Sequence, residues 1–118
     1  MRQKNFKGAR CVKRRLSKSD EIVKTFDKVQ TVYADVLDRD TNVKNIRCNV
    51  PLEGEDYTTD FVCTKQDGDL MVRECLFRSK LGLPRTCKLL DISRLYWLKR
   101  DVTDWAIVIE KEKEDEKE

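Results

Sequence analysis

The stretch Tyr57-Thr-Thr-Asp-Phe-Val-Cys-Thr-Lys-Gln-Asp-Gly-Asp-Leu-Met-Val-Arg-Glu-Cys-Leu-Phe-Arg78 decides how the chain is read. Two apolar runs flank Gln66-Asp67-Gly68, the pattern of a β-hairpin. One arm carries Asp60 and the other Glu74. Whether the two acids meet depends on the turn. A two-residue Asp67-Gly68 loop sets Glu74 opposite Phe61 and sends the acids to opposite faces, because side chains alternate along a strand. A three-residue Gln66-Asp67-Gly68 loop pairs Lys65 with Asp69 and Glu74 with Asp60, with Gly68 in the left-handed position that closes such a loop. Both turns suit the residues. The second is preferred, since it pairs Phe61 and Cys63 with Arg73 or Cys75 on the other face. Two carboxylates brought together in this way repel unless a cation or a proton lies between them. A divalent cation held by oxygen removes that repulsion. The alternative is two solvent-facing acids on a sheet.

Working outward, Ser19 reads as an N-cap, with Asp20 and Glu21 suited to the positive end of a helix dipole. Ile22, Phe26, Val29, Tyr33, Val36 and Leu37 recur at helical spacing, which predicts a helix over about 20–38. Val43 to Leu52 alternates Ile46, Cys48 and Val50 against Asn45, Arg47 and Asn49, as a half-buried strand does. After the hairpin, Leu83-Pro84 opens a second helix over about 84–100, with Leu89, Ile92, Tyr96 and Trp97 as its apolar stripe. Trp105-Ala-Ile-Val-Ile109 is a continuous apolar run, as in a central strand. The order αβββαβ predicts an α/β fold with a mixed sheet flanked by helices.

The chain has 118 residues, of which 40% are charged, yet the formal net charge is only +3. The distribution says more. Residues 1–18 hold eight Lys/Arg and no acid, and residues 110–118 hold six acids and three lysines. This predicts a basic arm over 1–18, a domain over 19–110 and a charged tail over 111–118. Lys13, Arg14, Arg15 and Lys18 in the arm, with Lys80, are candidate phosphate contacts, because Lys and Arg gain affinity by releasing counterions from nucleic acid. The alternative is a solvated terminus. Five cysteines, odd in number and without a C-x-x-C pair, read as reduced thiols of a cytoplasmic protein. No long apolar run suggests membrane spanning. The absence of histidine excludes Ser-His and Cys-His catalysis and His-ligated zinc. Any hydrolysis must use carboxylates, metal ions, lysine or arginine.

The order of elements resembles the core of PD-(D/E)xK nucleases, the restriction-endonuclease-like fold. More narrowly, Arg39-Asp-Thr-Asn-Val-Lys-Asn-Ile-Arg-Cys-Asn-Val-Pro-Leu-Glu-Gly54, Tyr57-Thr-Thr-Asp-Phe61 and the segment Gly82 to Glu110 resemble the N-terminal catalytic domain of TnsA-type transposon endonucleases. The most specific parts are Tyr57 to Phe61, Tyr96-Trp97, and Asp104-Trp-Ala-Ile-Val108. The likeness covers about residues 28–110, with no counterpart of the family's winged-helix-like second domain. It implies that Asp60 and Glu74 are ligands of Mg²⁺ or Mn²⁺ in phosphodiester cleavage. It implies DNA and a transposase-like protein as partners. Two positions depart from the pattern: Leu76 stands where the family has lysine, and Gln30 where the helix has glutamate. Gln30 is expected to point along the buried stripe toward the sheet, or else to be a polar residue on the helix flank. Arg78 is the nearest replacement for the lysine if the strand continues, with Lys80 and Lys65 further candidates. The same departures leave a second expectation open, a nuclease-fold module that no longer cleaves and binds DNA or a partner.

Overall fold

The computed structural model describes residues 11–110. In chain order these form β1 (Val12–Arg14), β2 (Val23–Thr25), α1 (Lys28–Arg39), β3 (Val43–Pro51), β4 (Thr58–Lys65), β5 (Leu70–Cys75), a 3₁₀ turn (Arg78–Lys80), α2 (Pro84–Leu98) and β6 (Trp105–Val108). The architecture is mixed α/β. A four-stranded sheet runs in the order β3-β4-β5-β6, antiparallel except for the parallel β5–β6 pair, and β1 and β2 form a separate antiparallel ribbon.

The hairpin takes the three-residue turn. Lys65 N–H donates to Asp69 O, Phe61 lies opposite Arg73, and Gly68 has φ +93°. Alternation along β4 and β5 then feeds two cores. Phe61, Cys63 and Met71 pack with Val29, Ala34 and Leu37 of α1. Val62 and Val72 pack with Leu89 and Trp97 of α2. The hairpin is therefore buried on both faces and the helices flank it, which makes its register costly to change. Burial pushes the Cys63 thiol up to about 12, so it stays protonated and inert within this core.

The first helix is shorter than its periodicity predicts. It starts at Lys28, where Asp27 Oδ1 accepts the Gln30 N–H at 2.8 Å as the N-cap. Ser19 instead closes a local turn, its Oγ donating to Glu21 O. Val23 and Thr25, both buried, belong to β2, and β-branched residues favour that extended pairing over a helix. Ile22 and Val36 of the expected stripe are exposed. The basic arm is also partly absorbed. Leu16 is buried in the α1 core, Ile46 N–H donates to Lys18 O, Arg14 pairs with Asp35, and Lys18 Nζ donates to Asp40 O. Residues 1–10 of the arm and the 111–118 tail lie outside the described residues. The Trp105 strand, expected at the centre, lies at the edge of the sheet beside β5 alone, with Ile107 exposed. Among the described residues no helix is long and apolar enough to cross a membrane.

The sheet's far end is closed by ions. Asp104, just before β6, accepts from Lys65 Nζ of β4 at 2.9 Å and from Arg73 Nη2 of β5 at 2.9 Å. Burial pushes the Asp104 carboxyl up, but the hydrogen bonds from Lys65 and Arg73 outweigh it and hold the group below its ordinary value. Lys65 is correspondingly raised by its bond to Asp104. A depressed carboxyl contributes stability that is present above its unfolded value, about 3.9, and is lost as pH falls through the folded value. Asp104→Asn is therefore expected to lower the thermal midpoint at pH 7 by roughly 4 °C, the scale of one partly exposed ion pair in a domain of this size. The gap from wild type should narrow as pH falls below about 4 and vanish only below the folded value in thermal melts; a gap that does not narrow there would contradict the assignment.

Candidate active site

Asp60 and Glu74 come together where the hairpin ladder ends. The last backbone pair is Phe61 with Arg73, and the next positions in register are Asp60 and Glu74. Side chains take over there. Asp60 N–H donates to Glu74 Oε1 at 3.1 Å, and Cys75 N–H donates to Asp60 Oδ2 at 2.7 Å. Each carboxylate thus accepts a backbone N–H of the other arm. Both residues are fully buried.

Asp60 is released from the β3 ladder by its neighbour. The β3–β4 pairs on either side are Cys48 with Phe61 and Val50 with Thr59, and Asn49 between them has φ 56°. Asparagine is among the few side chains that tolerate this left-handed region. Asn49 is clasped there, its Nδ2 donating to Lys24 O at 2.7 Å and its Oδ1 accepting from Gln30 Nε2 at 2.9 Å.

Gln30 reaches the acids from α1, as the stripe reading expects, and is fully buried. Its Oε1 accepts the Phe26 N–H at 2.9 Å, which directs Nε2 toward Asp60 Oδ1 at 3.1 Å. On the opposite side α2 supplies Ser93, whose Oγ donates to Glu74 Oε2 at 2.5 Å. Four donors from α1, β4, β5 and α2 therefore meet four carboxylate oxygens, an arrangement that solvates negative charge inside the protein.

The other basic candidates separate clearly. Leu76 continues the β5–β6 ladder through its N–H to Val108 O and is nearly buried. It walls a cavity of about 200 Å³ together with Asp27, Cys75, Lys80 and Leu89. Lys80 thus shares a cavity with the position the resemblance gives to lysine. Arg78 does not sit on a continued strand: β5 ends at Cys75, and Arg78 opens the exposed 3₁₀ turn, where its N–H donates to Glu110 Oε1. Lys65 is committed to Asp104. A larger cleft of about 730 Å³ runs between β2 and β3 past Asn49, and neither acid lines it.

The two acids have the oxygen chemistry a hard cation takes, but each of their four oxygens already accepts a donor of the protein. Gln30 presents an N–H, and among the described residues no group of three or more Asp, Glu or Cys side chains forms a metal cage. A cation between these acids would have to displace a protein donor such as the Gln30 amide or the Ser93 hydroxyl. The structure brings together Asp60, Glu74 and Gln30, which the sequence reading singled out, and adds Ser93 and Asn49, which it did not. Ser93 was within reach, as a polar residue midway between Leu89 and Trp97 on the apolar stripe.

Comparison with known protein-family models gives no match, and comparison with curated protein sequences gives none. The likeness to TnsA-type domains rests on the residues quoted above.

Gln30 yields a sharp expectation. Gln30→Glu keeps the acceptor for Phe26 N–H but turns an oxygen toward Asp60 Oδ1 in place of a donor. Without divalent cation the variant should lose about 1–3 kcal/mol of stability in denaturant melts. Millimolar Mn²⁺ should recover more stability in the variant than in wild type; equal responses to Mn²⁺ would count against a cation between these residues.

Proposed function

We propose that this chain is a DNA-acting protein of TnsA-like, restriction-endonuclease-like architecture, of the kind carried by mobile elements, whose metal-dependent phosphodiester chemistry is weakened or remodelled. The observation that carries the reading is the buried Asp60–Glu74 pair at the end of the hairpin ladder, met from α1 by Gln30. The sequence of α1, β3, β4, β5, α2 and β6 around a mixed sheet supports it.

In this reading Asp60 and Glu74 hold Mg²⁺ or Mn²⁺, which would supply polarisation of a phosphodiester and activation of water. Lys80 faces the cavity beside Leu76 and offsets phosphate charge as a point cation. Leu76 contributes neither charge nor proton. Losing one such donor costs about two to three orders of magnitude in rate. Gln30 lowers the negative charge around the cation by one relative to glutamate, which weakens the hold on a hard ion. A second reading, a module that binds DNA or a transposase-like partner without cleaving it, is favoured by one specific feature. The Gln30 amide already occupies Asp60 Oδ1 with a hydrogen bond.

DNA contact has its own support in the ribbon. Lys13 and Lys24 are exposed and directly opposite each other across β1 and β2. Like charges so placed destabilise a strand pair unless an anion joins them. Arg15 is exposed beside them, whereas Arg14 and Lys18 are committed to α1 and its C-terminal end.

Calorimetry with Mn²⁺ and a plasmid-nicking assay test the first reading together. Wild type should bind Mn²⁺ weakly and nick slowly, Asp60→Asn should lose both, and Leu76→Lys should raise nicking by about 100-fold. No Mn²⁺ binding by wild type, and no nicking by Leu76→Lys with Gln30→Glu, leaves the binding module.

The ribbon is tested by replacing Lys13 and Lys24 with threonine, which suits a strand. Duplex affinity should fall, and the slope of log affinity against log salt should flatten by roughly two, one per lost phosphate contact. An unchanged slope would remove the ribbon from the DNA surface.

A further inference from the structure

Leu76 to Leu90 carries four Arg/Lys and no acid, in a chain whose charges otherwise nearly balance. The fold gathers these cations at one place. Arg78 and Lys80 belong to the 3₁₀ turn that follows β5, and Arg85 and Lys88 stand three residues apart on one face of α2. Phe77, Lys80 and Thr86 line the cavity of about 200 Å³ together, so the turn lies against the first turn of α2. All four cations are exposed. The acids that border them are engaged: Asp27 Oδ1 caps α1, Glu110 Oε1 accepts the Arg78 N–H, and Asp91 pairs with Arg94 at 3.7 Å. Phe77 stands amid this charge. It is 37% exposed, and among the described residues every other aromatic side chain is buried or half-buried. Cys75, two residues before it, lines the same cavity and gives its N–H to Asp60, so the patch abuts the acid-pair end of the hairpin.

We propose that Phe77 and the cations of residues 78–88 form a binding surface for unpaired DNA, the ring stacking on a base while Arg78, Lys80, Arg85 and Lys88 hold the phosphates on either side of it. The inference rests on reading the chain as DNA-acting and names the form of DNA that this face takes. Stacking a base covers a ring that otherwise meets water, and every base offers a π-face, so the contact is tolerant of sequence. In a duplex the bases are already stacked on their neighbours, and only the phosphates remain for such a surface. The aromatic therefore selects the single strand. The lysines opposed across β1 and β2 have no exposed aromatic beside them and read phosphates alone.

The test measures fluorescence anisotropy of a labelled oligothymidine strand, and of a labelled duplex of the same length, with the full chain over a salt series. Phe77→Leu keeps an apolar side chain and removes the ring. It should weaken single-strand binding by about 5- to 100-fold and leave duplex affinity unchanged. Lys80→Gln combined with Lys88→Gln should flatten the single-strand slope of log affinity against log salt by roughly 1.4, about 0.7 for each lost phosphate contact. Lys44→Gln removes an exposed lysine at the other end of the sheet, beside the hairpin turn, and should leave that slope unchanged. Flattening of the same size in Lys44→Gln would mark diffuse attraction to the whole chain and overturn the proposal. Single-strand binding that Phe77→Leu retains in full overturns it too, as does equal weakening of strand and duplex, the sign of a packing defect. Should Phe77→Leu fail to fold, the two exposed lysines decide: an unchanged single-strand slope removes the patch. Wild type that binds duplex but no single strand sinks this inference and leaves the DNA-acting reading in place; wild type that binds neither brings down both.

Discussion

Cys75 N–H donates to Asp60 Oδ2 and Asp60 N–H donates to Glu74 Oε1, so at one point of the sheet each strand's backbone is held by the other strand's side chain. Both residues are fully buried, and a buried donor left without a partner costs about 1–3 kcal/mol. The acids therefore hold the sheet together at the place where ordinary ladder bonds stop. All four carboxylate oxygens are engaged by donors of the protein. Everything that approaches them, α1 through Gln30 and α2 through Ser93, is fixed in position by what those oxygens accept.

That sharing gives the departures at positions 30 and 76 a physical meaning. An amide at position 30 satisfies Asp60 with a donor and does so without any ion, whereas a glutamate there would add a third negative charge to a dry site. Leucine at position 76 closes one wall with apolar surface and packs near Leu89 of α2. Both residues are consistent with an acid pair held by hydrogen bonds from the protein itself.

Much of this was legible in the residues. Gln66-Asp67-Gly68 allowed two turns, and the expected choice is the one formed, although of the pairs it rested on only Phe61 with Arg73 is present and Cys63 lies opposite Met71. Pro84 and the Leu89–Trp97 stripe located the second helix to within about two residues, the usual uncertainty of a helix end. The first helix was overextended because Ile22 and Phe26 fall at helical spacing by coincidence. Long-range pairing with Val12–Arg14 takes Val23–Thr25 into a strand, and periodicity within one segment carries no information about a partner ten residues upstream. Arg78 was misplaced because alternation cannot reveal where a strand stops. Asn49 was hidden for a related reason: it sits on the outward side of an ideal alternation, and only its left-handed backbone turns it inward.

The chain contains two tryptophans, and both indole N–H groups end inside the contact between α2 and the sheet: Trp97 on Thr59 Oγ1 at 3.1 Å, Trp105 on Ser93 Oγ at 3.0 Å. All of the protein's indole fluorescence therefore arises from one seam, and Trp105 is joined to Glu74 through the Ser93 hydroxyl. Peeling α2 from the sheet hydrates both rings at once and shifts their emission to longer wavelength, whereas fraying of the β1–β2 ribbon leaves it untouched. The protein carries a built-in, label-free optical gauge of whether the helix that steadies its acid pair is seated.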